Sequence, residues 1–135
     1  MHRITRLFVA LCFGSALLPA AAHEAQLAPL MNVQLPDLPG HEVTMLKVSY
    51  PPGGYSGPHH HKGAHTFVYV LSGALEMGVA GKESVIVNPG ETFYENPADI
   101  HNVSRNASAD EAAEFLVFFL HPEGMTLVTP VEATP

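Results

Sequence analysis

"GPHHHKGAHTFVYVLSG" (residues 57–73) decides how the rest of this chain is read. Its second half, from His65 to Gly73, is crowded with β-branched and aromatic residues and stops at Ser72-Gly73, the composition of a strand running into a tight turn. Its first half sets four histidines into seven positions. Along an extended segment successive side chains point to opposite faces, so His59 and His61 share one face and His60 takes the other. Two imidazoles on one face can share one metal ion. Nitrogen donors of this kind suit first-row divalent ions such as Fe, Mn, Co, Ni, Cu and Zn. The competing reading is a solvated loop that happens to be rich in histidine.

Working outward, "HEVTMLKVSYPPGG" (41–54) reads as a strand closed by Pro-Pro-Gly-Gly, and "ALEMGVAG" (74–81) as the hairpin partner of 65–73. "KESVIVNPG" (82–90), "ETFYENP" (91–97) and "IHNVSRN" (100–106) are further short strands. "AEFLVFFLHP" (113–122) is nearly continuous apolar sequence, expected as a central strand buried on both faces. "MTLVTP" (125–130) is a candidate last strand. Six to eight short strands with turns every eight to twelve residues predict an all-β sandwich or barrel over 41–130. Residues 23–40 hold three prolines and little periodicity and are expected to form an extended arm, on the domain or on a neighbouring subunit. Tyr55, Phe67, Tyr69, Phe93 and Tyr94 are assigned to the core, with Met45, Met77 and Met125 as packing.

The first 22 residues are expected to lie outside the fold. Arg3 and Arg6 precede an uncharged apolar run (7–18) and a small-residue segment, "PAAA" (19–22), the order of a cleaved secretory signal. The run is too short to span a bilayer comfortably, which takes about 20 residues. Cleavage after Ala22 removes Cys12, the one cysteine, and with it any disulfide or thiolate chemistry. It also removes two of the six basic residues and none of the thirteen acidic ones, so the formal charge moves from −7 to −9. That acidity argues against nucleic acid or an anionic membrane as partner. The destination read from this segment is the periplasm or the exterior.

A third metal ligand has to come from another strand, and His101, opening the strand after the Pro97–Asp99 turn, is the candidate. Two histidines from one strand and one from another would leave open positions for substrate, water or dioxygen. Glu95, just before that turn, is the candidate carboxylate at the site and, with a metal-bound water as the alternative, the candidate catalytic base, against a solvent-facing strand end. His121 is assigned to the surface or a strand cap, His23 and His41 to solvent, and Arg105 to a surface ion pair. Asn102 and Asn106 each open an Asn-x-Ser glycan acceptor pattern. Nucleophile-elbow, phosphate-loop and dinucleotide fingerprints are missing.

Together, "GYSGPHHHKGAHTFVYVLSG" and "NPGETFYENPADIHNVSRN" resemble the two sequence blocks of a single-domain cupin. The first block has the form G-x5-H-x-H-x(3–4)-E-x6-G, met by Gly53, His59, His61 and Gly73. The second, G-x(5–6)-P-x-G-x(1–2)-H-x3-N, is met by Gly90, Pro97 and His101, with Asp99 in place of a glycine and the asparagine one place late at Asn106. The family's glutamate ligand is missing. Counted back from Gly73 its place is Thr66, and counted forward from His61 it is His65. A three-histidine site, a four-histidine site including His65, and a site completed by Glu95 all stay open, because strand register decides among them.

The resemblance implies a jelly-roll β-barrel (a double-stranded β-helix) with a mononuclear divalent metal, Fe, Mn, Ni, Cu or Zn, on His59, His61 and His101. It also implies a homodimer, often made by exchange of N-terminal strands. The family includes dioxygenases acting on flavonols and thiols, isomerases and decarboxylases. Its implied function here is therefore an exported metal-binding protein acting as a small-molecule, dioxygenase-like oxygenase. The alternative is a non-catalytic module that binds a small ligand or the metal itself.

Overall fold

The structure, a computed structural model, describes residues 23–131; the expected signal segment, 1–22, lies outside them. The described residues form β1 (Gln26–Gln34), β2 (His41–Tyr50), β3 (Tyr55–Ser56), β4 (His59–His60), β5 (His65–Ser72), β6 (Leu75–Val79), β7 (Val85–Val87), β8 (Thr92–Glu95), β9 (Ile100–Asn106), β10 (Ala113–Pro122) and β11 (Thr129–Pro130), with no helix among them. All pairings are antiparallel. One sheet has the order β1-β2-β10-β5-β8; the other runs β11-β4-β9-β6-β7, with β3 also on β9. The two sheets face each other as a jelly roll. No helix of the described residues is long and apolar enough to cross a membrane.

Period-two alternation explains the layering. Thr66, Val68 and Val70 of β5 and Phe115, Val117 and Phe119 of β10 point inward, where they meet Val48, Tyr50, Leu75, Met77 and Val87 from both sheets. Full burial of a large apolar side chain stabilises the fold by about 1.5–3 kcal/mol, so this two-sided cluster supplies most of the driving force. Tyr50 and Phe115 tilt against each other with ring centroids 5.2 Å apart.

Several expectations need correction. Segments 65–73 and 74–81 are not a hairpin. At Gly73 the chain leaves one sheet for the other, because β5 pairs with β10 and β8 while β6 pairs with β9 and β7. Gly73 has φ 70, and a Cβ there would lie 2.7 Å from the Ala112 carbonyl oxygen. The crossing therefore needs glycine for both its backbone angle and its close approach. The central strand β10 buries its inner face only; Leu116, Phe118 and Leu120 are half-buried on the outer face. The arm is strand β1, paired along β2 with a bulge between Pro29 and Met31. Of the aromatics assigned to the core, Tyr55, Phe67, Tyr69 and Tyr94 are exposed. Once Thr66 faces in, strand alternation turns Phe67 and Tyr69 out. One cross-strand row on the outer face, Met31–Met45–Phe118–Phe67–Tyr94, is apolar across all five strands.

His121, expected at the surface, is buried. Its Nδ1–H donates to the Pro122 carbonyl at 2.8 Å, and its Nε2 accepts from the Thr44 hydroxyl at 2.9 Å. Thr44 in turn accepts from the Asn32 amide, so β1, β2 and β10 are tied by one polar chain. Asn106 is also buried and serves the fold rather than an acceptor site. Its amide donates to the carbonyls of Pro51 and Glu111 and accepts from the Ser108 N–H. Arg105 forms the expected surface ion pair, with Glu76.

Candidate metal centre

The β4–β9 register sets His59 directly opposite His101. Their rings lie 5.0 Å apart, and the His61 ring, just past the end of β4, is 4.8 Å from that of His59. All three side chains are buried, and one potential ligand atom from each lies within 4.8 Å of the others. Phe119 packs against His61, and Phe93 stacks on His101. His60 is half-buried on the opposite face of β4, as alternation requires.

His65 is not brought to this cluster, which corrects the four-histidine alternative. A turn in which the Ala64 N–H donates to the His61 carbonyl separates the two histidines. His65 then falls on the exposed outer face, where its Nδ1 lies 2.7 Å from the Tyr94 hydroxyl. Thr66 faces inward in its place, fully buried, and its hydroxyl has no hydrogen-bond partner.

Glu95 is brought in. It pairs with Thr66 across β5 and β8 and is 2% exposed. Its Oε1 is 3.3 Å from Nδ1 of His101 and its Oε2 3.8 Å from Nε2 of His61. The turn that follows is closed by the Asp99 N–H on the Asn96 carbonyl and by the Asn96 N–H on the Asp99 carboxylate. That turn carries the chain from the sheet holding Glu95 to the sheet holding His101. Burial pushes the Glu95 carboxyl up to about 8, with the Asp99 charge adding to the shift. Burial pulls His61 down to about 4 and His101 down to about 3. Both rings are therefore neutral near pH 7, with lone pairs free to bind.

These groups open on a cavity of about 70 Å³. Its remaining walls are largely apolar, among them Leu46, Val68, Phe115, Val117 and Phe119, and no lysine or arginine lines it among the described residues. Ala25, Leu27 and Val128 also contribute to the lining. A hydroxyl cluster in the same cavity was not legible in the sequence. The Tyr50 hydroxyl lies 2.7 Å from the Ser56 hydroxyl and 2.8 Å from that of Ser104. No spacing rule marks these three residues; the β3–β9 register sets Ser56 opposite Ser104, and Tyr50 reaches both from the end of β2.

A family model described as "Cupin domain" matches residues 46–119. The chain belongs to the cupin family. Among curated proteins, this cupin is 30% identical over 83 residues to nectarin-1 of Nicotiana langsdorffii x Nicotiana sanderae, covering 58% of this chain and 36% of that one. It thus spans about a third of the length of the curated relatives it matches. Among solved structures it superposes on an oxalate oxidase in complex with the substrate analogue glycolate, with TM-score 0.64 and 24% identity over 83% of this chain and 57% of that one. A conserved protein with a double-stranded β-helix domain from Klebsiella pneumoniae superposes with TM-score 0.64 and 16% identity, covering 86% and 90%. Both likenesses concern the fold.

The cupin's own residues fit a transition-metal ion. Nδ1 of His59 donates to the Gly57 carbonyl at 2.8 Å, and Nδ1 of His61 donates to the Leu127 carbonyl. Each bond fixes the tautomer that leaves Nε2 as a free lone pair. Nε2 of His101 is buried without any hydrogen-bond partner. A buried polar nitrogen left unpaired is costly, and beside two other free imidazole lone pairs a divalent ion is the partner that satisfies it.

Proposed function

We propose that this cupin is an exported oxygenase of small molecules that works through one Fe, Mn, Ni, Cu or Zn ion on His59, His61 and His101. The observation that carries the reading is the orphaned His101 Nε2 beside two rings whose other nitrogens are tied to backbone carbonyls. When bound, the ion supplies Lewis acidity, open coordination positions and, for a redox-active metal, electron transfer to dioxygen. The chain's residues do the rest. The apolar walls exclude water, which strengthens every electrostatic contact inside. Glu95, the one carboxylic acid lining the cavity among the described residues, stands beside His61 and His101, where it can exchange a proton with the substrate's acidic head. The hydroxyls of Tyr50, Ser56 and Ser104 orient the far end of the substrate. A cavity of about 70 Å³ holds roughly five to seven non-hydrogen atoms, taking about 10–15 Å³ for each water-sized position. With no lysine or arginine in its lining among the described residues, the site favours a compound with one acidic head, an enol, phenol, thiol or hydroxy acid, and an apolar remainder. In a dioxygenase reaction both oxygen atoms enter the product, so the substrate supplies the electrons and no external reductant is needed.

The test is an oxygen-electrode assay of tag-free, metal-analysed protein against a panel of such compounds. The expected result is dioxygen uptake equal to substrate loss, abolished in His101→Ala. Tight binding without turnover, in protein carrying a redox metal, assigns the chain to the binding-module alternative. Protein with no stoichiometric ion overturns both.

Export is supported by the order of Arg3, Arg6, the apolar run and Ala20–Ala22; mature protein beginning at His23 in a periplasmic fraction is the expected finding. The outer face of the β1-β2-β10-β5-β8 sheet supports a homodimer. At about 4.8 Å between strands and about 3.3 Å per residue, its five strands present roughly 650 Å², approaching the ~800 Å² per partner of a stable interface. One full row is apolar, and on the inner strands β2 and β10 Lys47 and Glu114 neutralise each other at 3.0 Å. Light scattering should give twice the chain mass, falling to one chain in Phe118→Glu.

A further inference from the structure

We propose that Glu95 is the fourth metal donor, replacing from β8 the carboxylate that cupins otherwise place at the Thr66 position on β5. The inference rests on the metal reading above and goes beyond it.

Register makes the exchange possible. Thr66 and Glu95 are direct cross-strand partners, both inward and both buried. Opposite residues in an antiparallel pair have Cβ atoms about 4.5–5.5 Å apart, so a carboxylate from either strand reaches the same point in the cavity. Thr66 cannot fill the role itself, since its hydroxyl is uncharged and finds no partner.

The carboxylate is oriented for two tasks. Oε2 stands 3.8 Å from Nε2 of His61, the nitrogen left free by the bond to Leu127. Around an ion with donors at 2.0–2.1 Å, adjacent donor atoms lie about 3.0–3.4 Å apart, so this pair needs to close by about 0.4–0.8 Å, within the reach of a side-chain rotation. Oε1 stands 3.3 Å from Nδ1 of His101. A proton on that Nδ1 gives all three histidines the same tautomer: Nδ1–H outward to an oxygen, Nε2 free. One oxygen thus faces the nitrogen left free for the ion, and the other lies beside the third ring.

Charge leads to the same assignment. Glu95 has no lysine or arginine partner among the described residues, and a bound dication would give its carboxylate form the compensating charge that burial demands. Three neutral imidazoles around a dication would leave two positive charges in an apolar barrel; one carboxylate halves that excess.

The experiment titrates Co²⁺ calorimetrically into metal-free wild type, Glu95→Gln and the double variant Thr66→Glu/Glu95→Gln, and records the visible d–d spectrum of each complex. Glutamine keeps the shape and a neutral oxygen but loses the anionic donor. Glu95→Gln should therefore bind Co²⁺ at least tenfold more weakly, with an altered spectrum. The double variant should regain most of the loss, because its carboxylate returns from the neighbouring strand. Glu95→Gln binding within twofold of wild type with an unchanged spectrum overturns the proposal while leaving the three-histidine site intact. A double variant no tighter than Glu95→Gln overturns the equivalence of the two positions. Wild type that takes up no Co²⁺ overturns the metal reading itself.

Discussion

Replacing Asn106 by alanine tests how the C-terminal end of β9, the strand that carries His101, is held. Its side chain makes three hydrogen bonds, donating to Pro51 O at 3.0 Å and to Glu111 O at 2.7 Å and accepting from Ser108 N at 2.9 Å. Together they fasten the turn after β2 and the loop before β10 to the end of β9. At about 1 kcal/mol net per bond, the loss is roughly 3 kcal/mol, and more where a freed backbone group stays out of water. Against a total of about 5–15 kcal/mol for a domain of this size, that is a large fraction. At about 4 °C per kcal/mol it corresponds to a fall in Tm of about 12 °C. Asn106→Asp sharpens the test. It keeps the acceptor for Ser108 but turns a carboxylate oxygen towards two carbonyl oxygens, so it should cost at least as much as alanine despite its matching shape. Urea denaturation reads both as a lower midpoint at unchanged slope. An aspartate variant within about 0.5 kcal/mol of wild type, or an alanine variant costing under about 1 kcal/mol, would refute the donor role and the arithmetic built on it.

Metal at a hundredfold excess over its Kd should stabilise the wild type by about 2.7 kcal/mol, or roughly 10 °C. His60→Ala and His65→Ala should keep that gain in a thermal scan, while His59→Ala, His61→Ala and His101→Ala should lose it; an equal gain in all five removes the ligand assignment. Gly90→Ala, with φ 85 and no contact closer than 4.0 Å, should cost about 1–2 kcal/mol by chemical denaturation. Gly73→Ala adds a backbone collision and should cost about 1–3 kcal/mol beyond that; equal costs would mean the sheet crossing tolerates a side chain. His121→Ala should lose about 2–4 kcal/mol, since it opens a void and leaves the Thr44 hydroxyl without its acceptor; retention of wild-type stability would show that the polar chain carries no weight.

Much of this architecture is legible in the residues, for reasons that are local. His59 and His61 share a face because strands alternate, and the turn chemistry of Asn96–Asp99 starts a strand at His101. What escapes is whatever depends on which strand lies beside which. Ser72-Gly73 has the same composition whether it closes a hairpin or carries the chain between sheets; only the packing of Gly73 on Ala112 and Ala113 decides. His65 and Thr66 were indistinguishable by counting, since the turn at His61–Ala64 sets the phase of β5 and counting does not see turns. Phe67, Tyr69 and Tyr94 look like core by composition, yet that phase turns them outward. The hydroxyl cluster and the buried His121 depend on contacts 54 and 77 residues apart in the chain, beyond any local pattern.

His59 and His101 belong to one sheet and Glu95 to the other. An ion gripped by all three acts as a rivet through both layers, so that neither layer can peel away while the rivet holds. Amide protons deep in β8 and β9 should then slow their exchange with solvent in step, on opposite walls, as the ion is added. Strands anchored to only one wall, such as β7, should hardly notice.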